Sequence, residues 1–164
     1  MPSVRVPLKG ERGWDELMIQ RKEFWRKPGH DRLTPHFKAS EFYTHDGTPC
    51  PIVSRPALVK LCKDYLEPLR KKFGTCFVLS GYRHQLYNAG IGGVPNSQHV
   101  YEHTFESVAA DIRFEKGTPS AWGAAAKAIR KTLGNKGGIG IYVRQGFVHV
   151  DNRPYMADWT GKGE

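Results

Sequence analysis

Val108-Ala109-Ala110-Asp111-Ile112-Arg113-Phe114 and Phe147-Val148-His149-Val150-Asp151 decide the reading of this chain. The first stretch alternates. Val108, Ala110, Ile112 and Phe114 share one face, and Ala109, Asp111 and Arg113 share the other, which is the period of a strand with one buried side. In the second stretch His149 and Asp151 stand two apart, so both side chains leave the same face. Gly138 to Val143 is another β-rich run, and Arg144-Gln145-Gly146 between the two predicts a hairpin. Adjacent strands of this kind bring His149 beside Asp111 on a shared polar face.

Working outward, Thr75 to Ser80 is short, β-rich and bounded by glycines, and predicts a further strand. Ser54-Arg55-Pro56 opens a helix, with Ser at the cap and Pro in the first turn. Leu58, Leu61, Cys62, Tyr65, Leu66 and Leu69 then recur on one helical face, and Pro68 is expected to kink or shorten it. Thr118-Pro119 starts a second helix with Trp122, Ala125, Ala126, Ile129 and Leu133 inward, and Gly134 stops it. Residues 84–98, rich in Gly and Asn, read as a long surface loop. Helices and short strands that do not alternate regularly predict an α+β fold, a small antiparallel sheet with flanking helices.

Residues 1–34 differ from the rest. They are charged, with scattered apolar residues, and predict an N-terminal extension with a helix from Trp14 to Trp25 that the Lys27-Pro28-Gly29-His30 cluster ends. Leu17, Met18 and Phe24 fall partly on one face of it. The main domain is read as 35–164.

With 164 residues, the chain has the length of one domain and is large enough to bury a core without staples. The net charge of +9 points to a polyanionic partner: nucleic acid, an anionic membrane surface or an anionic cell wall. The basic residues are dispersed and no nucleic-acid-binding motif is present, so a nucleic-acid partner is not expected. No apolar run approaches the ~20 residues of a membrane helix, and the first residues lack the apolar core of a secretory signal. Cys50, Cys62 and Cys76 are odd in number and lack C-x-x-C spacing, so reduced, half-buried thiols are expected.

Imidazole and carboxylate gather in three segments: Ser97-Gln98-His99, Ala109-Ala110-Asp111 and Val148-His149-Val150-Asp151. Two imidazoles and one carboxylate suit Zn²⁺ and leave a fourth position for water. Such water reaches a pKa near ~7 and becomes a nucleophile at neutral pH.

Ser80-Gly81-Tyr82-Arg83, Asn88, Gly92-Gly93, Ser97-Gln98-His99, Ala109-Ala110-Asp111-Ile112 and Gly146-Phe147-Val148-His149-Val150-Asp151 occur in one order, preceded by Phe37-Lys38-Ala39-Ser40-Glu41-Phe42 and His45-Asp46-Gly47. As a set they resemble the zinc D-Ala-D-Ala carboxypeptidase family of peptidoglycan peptidases, which includes many phage endolysins. The resemblance covers about residues 35–160. It implies a hedgehog/D,D-peptidase-like fold, a Zn²⁺ cofactor and peptidoglycan as substrate. By the same resemblance His99, Asp111 and His149 are the zinc ligands, Arg83 engages substrate near the scissile carbonyl, and Ser97 and Gln98 shape the same wall. It further implies a monomer and, with no signal segment evident, a lysin made in the host cytoplasm or carried on a virion.

Two departures from the family pattern leave alternatives open. The link from His99 to Asp111 is longer than usual, with Tyr101 to Ser107 in place of a short Gly-containing turn. An insertion of about five residues in a loop accounts for it at little entropic cost; alternatively His103 replaces His99. Several relatives also place a proton-moving residue shortly before the last ligand, where this chain has Gly146 and Phe147. Asp151 is then the nearest acid, as general base, as an orienter of His149, or as a structural partner of Arg153. Glu102 and Glu106 are outside candidates. Trp159 is expected to cap the core or line the cleft. His30, His36, His45 and His84 are expected to be surface or loop histidines. The alternative function is a wall- or partner-binding relative without turnover.

Overall fold

The structure is a computed structural model and describes residues 6–161. Residues 1–5 of the N-terminal segment and 162–164 of the main domain lie outside it. In chain order the elements are α1 (Trp14–Arg26), β1 (Arg32–Thr34), β2 (Phe37–Lys38), α2 (Arg55–Leu61), α3 (Glu67–Phe73), β3 (Cys76–Ser80), α4 (Gln85–Gly90), β4 (Ala109–Phe114), α5 (Pro119–Thr132), β5 (Gly137–Tyr142), β6 (Phe147–Asp151) and β7 (Met156–Thr160). Short 3₁₀ turns lie at Ala39–Phe42, Ile52–Ser54 and Tyr101–His103.

The α+β architecture is as expected. Five strands form one sheet in the order β3-β4-β6-β5-β7. Ala110, Ile112, Val148, Val150 and Ile139 project into the core together with Leu58, Leu61, Leu66 and Leu69. Truncating one of these buried Leu or Ile side chains to Ala costs about 2–5 kcal/mol. The sheet is not wholly antiparallel: β7, which the sequence pattern did not reveal, pairs in parallel with β5 at the edge. Its residues alternate between half-buried and exposed and carry no apolar run.

Three local patterns resolve differently from expectation. Pro68 does not end its helix. A π turn at Cys62–Leu66 joins α2 to α3, with the Glu67 amide bonding back to the Cys62 carbonyl. The widened turn lies where a proline ring would meet the carbonyl four residues back, and the helix runs on to Phe73. Residues 84–98 are not all loop. They include α4, capped by the His84 ring nitrogen accepting from the Tyr87 amide. His84 is buried and its other nitrogen donates to Asp46 at 2.6 Å; it is no surface histidine. On α5, Leu133 is exposed and Arg130 takes the inward position, paired with Asp158 of β7.

α1 forms where expected, but its buried face is Trp14, Met18, Arg21 and Trp25, with Leu17 and Phe24 only half-buried. Trp25 joins the main core, and its indole N–H donates to the Cys50 carbonyl at 2.9 Å. The β1–β2 hairpin spans residues 34 and 35. The three cysteines are free and buried, more deeply than the half-buried thiols expected; burial pushes their thiols up.

Candidate metal centre

The site is built by strand register. Asp111 on β4 pairs directly with His149 on β6, and Ala109 pairs with Asp151. Because side chains alternate along a strand, Asp111, His149 and Asp151 all leave the face opposite the apolar core. His99 arrives from the loop after α4. Its backbone is held on two sides: its carbonyl accepts from the Arg83 amide at 2.8 Å, and its amide donates to the Ser97 hydroxyl at 3.2 Å.

Ligand atoms of His99, Asp111 and His149 lie within 4.8 Å of one another, and all three residues are buried. Asp111 Oδ1 is 3.2 Å from His99 Nε2 and 3.1 Å from His149 Nδ1. The outer nitrogens fix the tautomers. His99 Nδ1 faces the Gly81 carbonyl at 2.6 Å, and a carbonyl only accepts, so Nδ1 carries the proton. His149 Nε2 faces Asp151 Oδ2 at 2.7 Å and donates to it. Neutral imidazoles held this way aim two lone pairs at the same carboxylate oxygen. Only a cation between them relieves that arrangement, a proton or a metal ion. The donor set of two nitrogens and one carboxylate oxygen fits zinc.

The electrostatics agree. Burial opposes ionisation of Asp111, yet the facing imidazoles outweigh it and hold the carboxyl well below the usual carboxylate range. For Asp151 burial again acts upward, but its bonds to His149 and Arg153 win and keep it ionised. Burial disfavours the charged form of His149, while Asp111 and Asp151 favour it more, raising its pKa to about 9.

Asp151 is enclosed, at 0% exposure. Oδ1 accepts from the Gly138 amide at 2.9 Å and from the Arg153 amide and Nε; Oδ2 accepts from His149 and, at 2.6 Å, from an Arg153 terminal nitrogen. Every lone-pair direction is engaged, and the side chain does not line the cleft. Both the orienting and the Arg153-pairing geometries are therefore present together. The Arg153 guanidinium in turn lies 5.1 Å from the Trp159 ring centre.

The cluster opens onto a cleft of about 530 Å³. On one side stands Arg83. Its Nε donates to Ser80 Oγ at 3.1 Å, and its terminal nitrogens lie 3.5 Å from Asn88 Oδ1 and 3.5 Å from Asp111 Oδ2. Ser97 and Gln98 line the same cleft, with Gln98 Oε1 accepting from the Ser107 hydroxyl. The opposite side is aromatic. Tyr142 stacks on Phe147, and Trp159 donates to the Tyr142 hydroxyl at 2.8 Å and packs against the His149 ring. Trp159 thus lines the cleft. Gly140, the register partner of His149, leaves no room for a Cβ beneath the indole.

His103 stays outside the cluster. It is exposed and its ring bonds the Pro95 carbonyl at 2.8 Å. Glu102 turns away from the cleft to Tyr82 and Arg21, and Glu106 is exposed. Tyr142 and Tyr155 also line the cleft; Tyr142 fell within the β-rich run Gly138 to Val143 but nothing marked it as a site residue, and Tyr155 carried no sequence signal.

A His–Asp–His donor set at an open cleft is one that metal-dependent hydrolases use. The family model described as Peptidase M15 matches residues 35–151. The chain belongs to the Peptidase M15 family, a family of zinc-dependent peptidases. No match was found to a curated protein or to a solved structure.

Proposed function

We propose that the protein is a zinc peptidase that hydrolyses amide bonds of peptidoglycan stem peptides, as a D-Ala-D-Ala carboxypeptidase-like enzyme or an endolysin-type endopeptidase. The observation that carries this reading is the convergence of His99 Nε2, Asp111 Oδ1 and His149 Nδ1 at the cleft floor. Zinc held by these three atoms would supply an acidic water and polarise a carbonyl. Asp151 holds the His149 ring in the tautomer that frees Nδ1, an orienting role. Gly81 does the same for His99 through its carbonyl. The Arg83 guanidinium, fixed by Ser80 and Asn88, faces the cleft where it can stabilise oxyanion charge or hold a stem-peptide carboxylate. Ser97 and Gln98 keep that wall in place. The aromatic side formed by Tyr142, Phe147 and Trp159 gives an apolar surface for the substrate's far side.

The test is mass analysis of muropeptides released from purified cell wall, with and without chelator. Zinc-dependent release of cleaved stem peptides is expected, and the fragment masses name the bond. Cleavage that survives complete metal removal would refute the reading. One observation favours a second reading, a wall-binding relative without turnover: among the described residues, Asp111 is the one carboxylate lining the cleft. Zinc binding with no cleavage of any stem peptide would establish it.

A further inference from the structure

The buried face of α1 carries an arginine, and its contacts lead to the metal centre. Arg21 is 2% exposed. It lies outside residues 35–151, the part matched by the family model. One terminal nitrogen donates to the Pro49 carbonyl at 3.0 Å and to the Tyr82 hydroxyl at 3.2 Å. The other lies 3.5 Å from Glu102 Oε2, to which the Tyr82 hydroxyl also donates. The guanidinium carbon stands 5.6 Å from the Tyr82 ring centre.

Both chain segments that Arg21 joins hold His99. Tyr82 sits between Gly81, whose carbonyl receives the His99 ring proton at 2.6 Å, and Arg83, whose amide donates to the His99 carbonyl at 2.8 Å. Glu102 is three residues beyond His99, in the turn Tyr101–His103 that leads the chain away from it. Arg21, Tyr82 and Glu102 therefore close a triangle around the backbone that aims the His99 ring.

We propose that Arg21 is a positioning residue for the zinc centre: α1 braces His99 and Arg83 through the Arg21–Tyr82–Glu102 triangle. Without the guanidinium, the Glu102 carboxylate loses its only cation in the triangle while one of its oxygens is already buried without a partner. A partly buried charge stripped of its partner moves toward water, and the turn that carries it moves His99. The inference rests on the zinc-peptidase reading of the site.

The experiment measures zinc affinity of the full chain by competition with a chromogenic chelator, in variants shown to be folded by circular dichroism. Arg21→Met is expected to weaken zinc roughly 10–100-fold, the scale for losing a residue that supports a ligand. Met18→Ala is the control. Met18 is buried on the same helix face, one turn earlier, and touches neither Tyr82 nor Glu102 by hydrogen bond. It should lower the melting temperature and leave zinc affinity within about twofold, the shift of a site whose ligands have not moved. Wild-type affinity in Arg21→Met overturns the proposal, and so does an equal loss in Met18→Ala, which would mean general destabilisation. If Arg21→Met does not fold, Tyr82→Phe decides: it removes only the hydroxyl shared by Arg21 and Glu102, and weakened zinc supports the brace while unchanged zinc overturns it. A wild-type chain that binds no zinc overturns the zinc-peptidase reading, and the brace with it. Zinc-binding wild type with an unaffected Arg21→Met overturns the brace alone.

Discussion

Asp111 and His149 are direct register partners across β4 and β6, and Asp111 Oδ1 lies 3.1 Å from His149 Nδ1. Two of the three candidate ligand residues are thus placed by backbone pairing, the most rigid device a sheet offers. A one-residue slip of either strand would turn its own member of the pair to the core face. The third, His99, depends on a loop and on the hydrogen bonds that hold it.

The first prediction follows from that division. His99→Ala and Asp111→Asn should each weaken zinc by more than the roughly 10–100-fold that loss of a supporting partner costs, and abolish stem-peptide cleavage. His103→Ala should leave both unchanged, because its ring bonds the Pro95 carbonyl outside the cluster. Chelator competition and muropeptide release measure the two effects. Zinc loss in His103→Ala instead would move the ligand set.

Asp151→Asn separates two roles. An orienting carboxylate supports the metal through His149, so the variant should lose zinc affinity by roughly 10–100-fold as well as activity. A general base would lose turnover and keep zinc. Full zinc affinity with lost kcat would therefore count against the orienting role.

Zinc binding should depend on pH in a defined direction. Burial disfavours His149 protonation, but Asp111 and Asp151 outweigh it and raise the pKa to about 9. Below that pH the metal-free imidazole holds a proton that zinc must displace. Apparent zinc affinity should rise roughly tenfold per pH unit for each proton released between pH 6 and 8. The folded pKa is raised above the unfolded value of 6.5, so the metal-free protein has this stabilisation in full below 6.5 and loses it as pH rises toward 9. Its melting temperature after chelator treatment should fall over that window. A pH-independent zinc affinity would show that His149 is not the displaced acid.

Gly140→Ala tests the aromatic wall. A methyl there meets the Trp159 indole, so the side chain must leave the strand surface. Overpacking of this kind costs about 1–3 kcal/mol. Tryptophan fluorescence should shift and substrate KM should rise. An unchanged emission spectrum would show that the indole is not packed there.

Much of this was legible in the chain. Alternation in Val108–Phe114 and Phe147–Asp151 placed Asp111 and His149 on polar strand faces, because burial on one side of a sheet forces a period of two. The Leu58–Leu69 face was legible for the same reason at helical period. Motif order pointed to the peptidase family and to His99. Arg21 and Arg130 were not legible as buried, because an arginine reads as solvated until its partners, Glu102 and Asp158, arrive from distant parts of the chain. β7 was hidden because an edge strand with alternating half-exposed residues carries no apolar run. The helix α4 was hidden because its cap is His84 rather than Ser, Thr, Asp or Asn.

The sequence by itself determined the fold class, the sheet face on which Asp111 and His149 stand, and the chemistry that such residues can hold. Local periodicity carries that much, since it follows from which side of each element meets the core. Only the tertiary structure decided between His99 and His103 as the third member of the cluster, enclosed Asp151 behind His149, and joined Arg21 to the loop that carries His99. Those are contacts between segments far apart in the chain, fixed by distances and directions that no spacing along the sequence encodes.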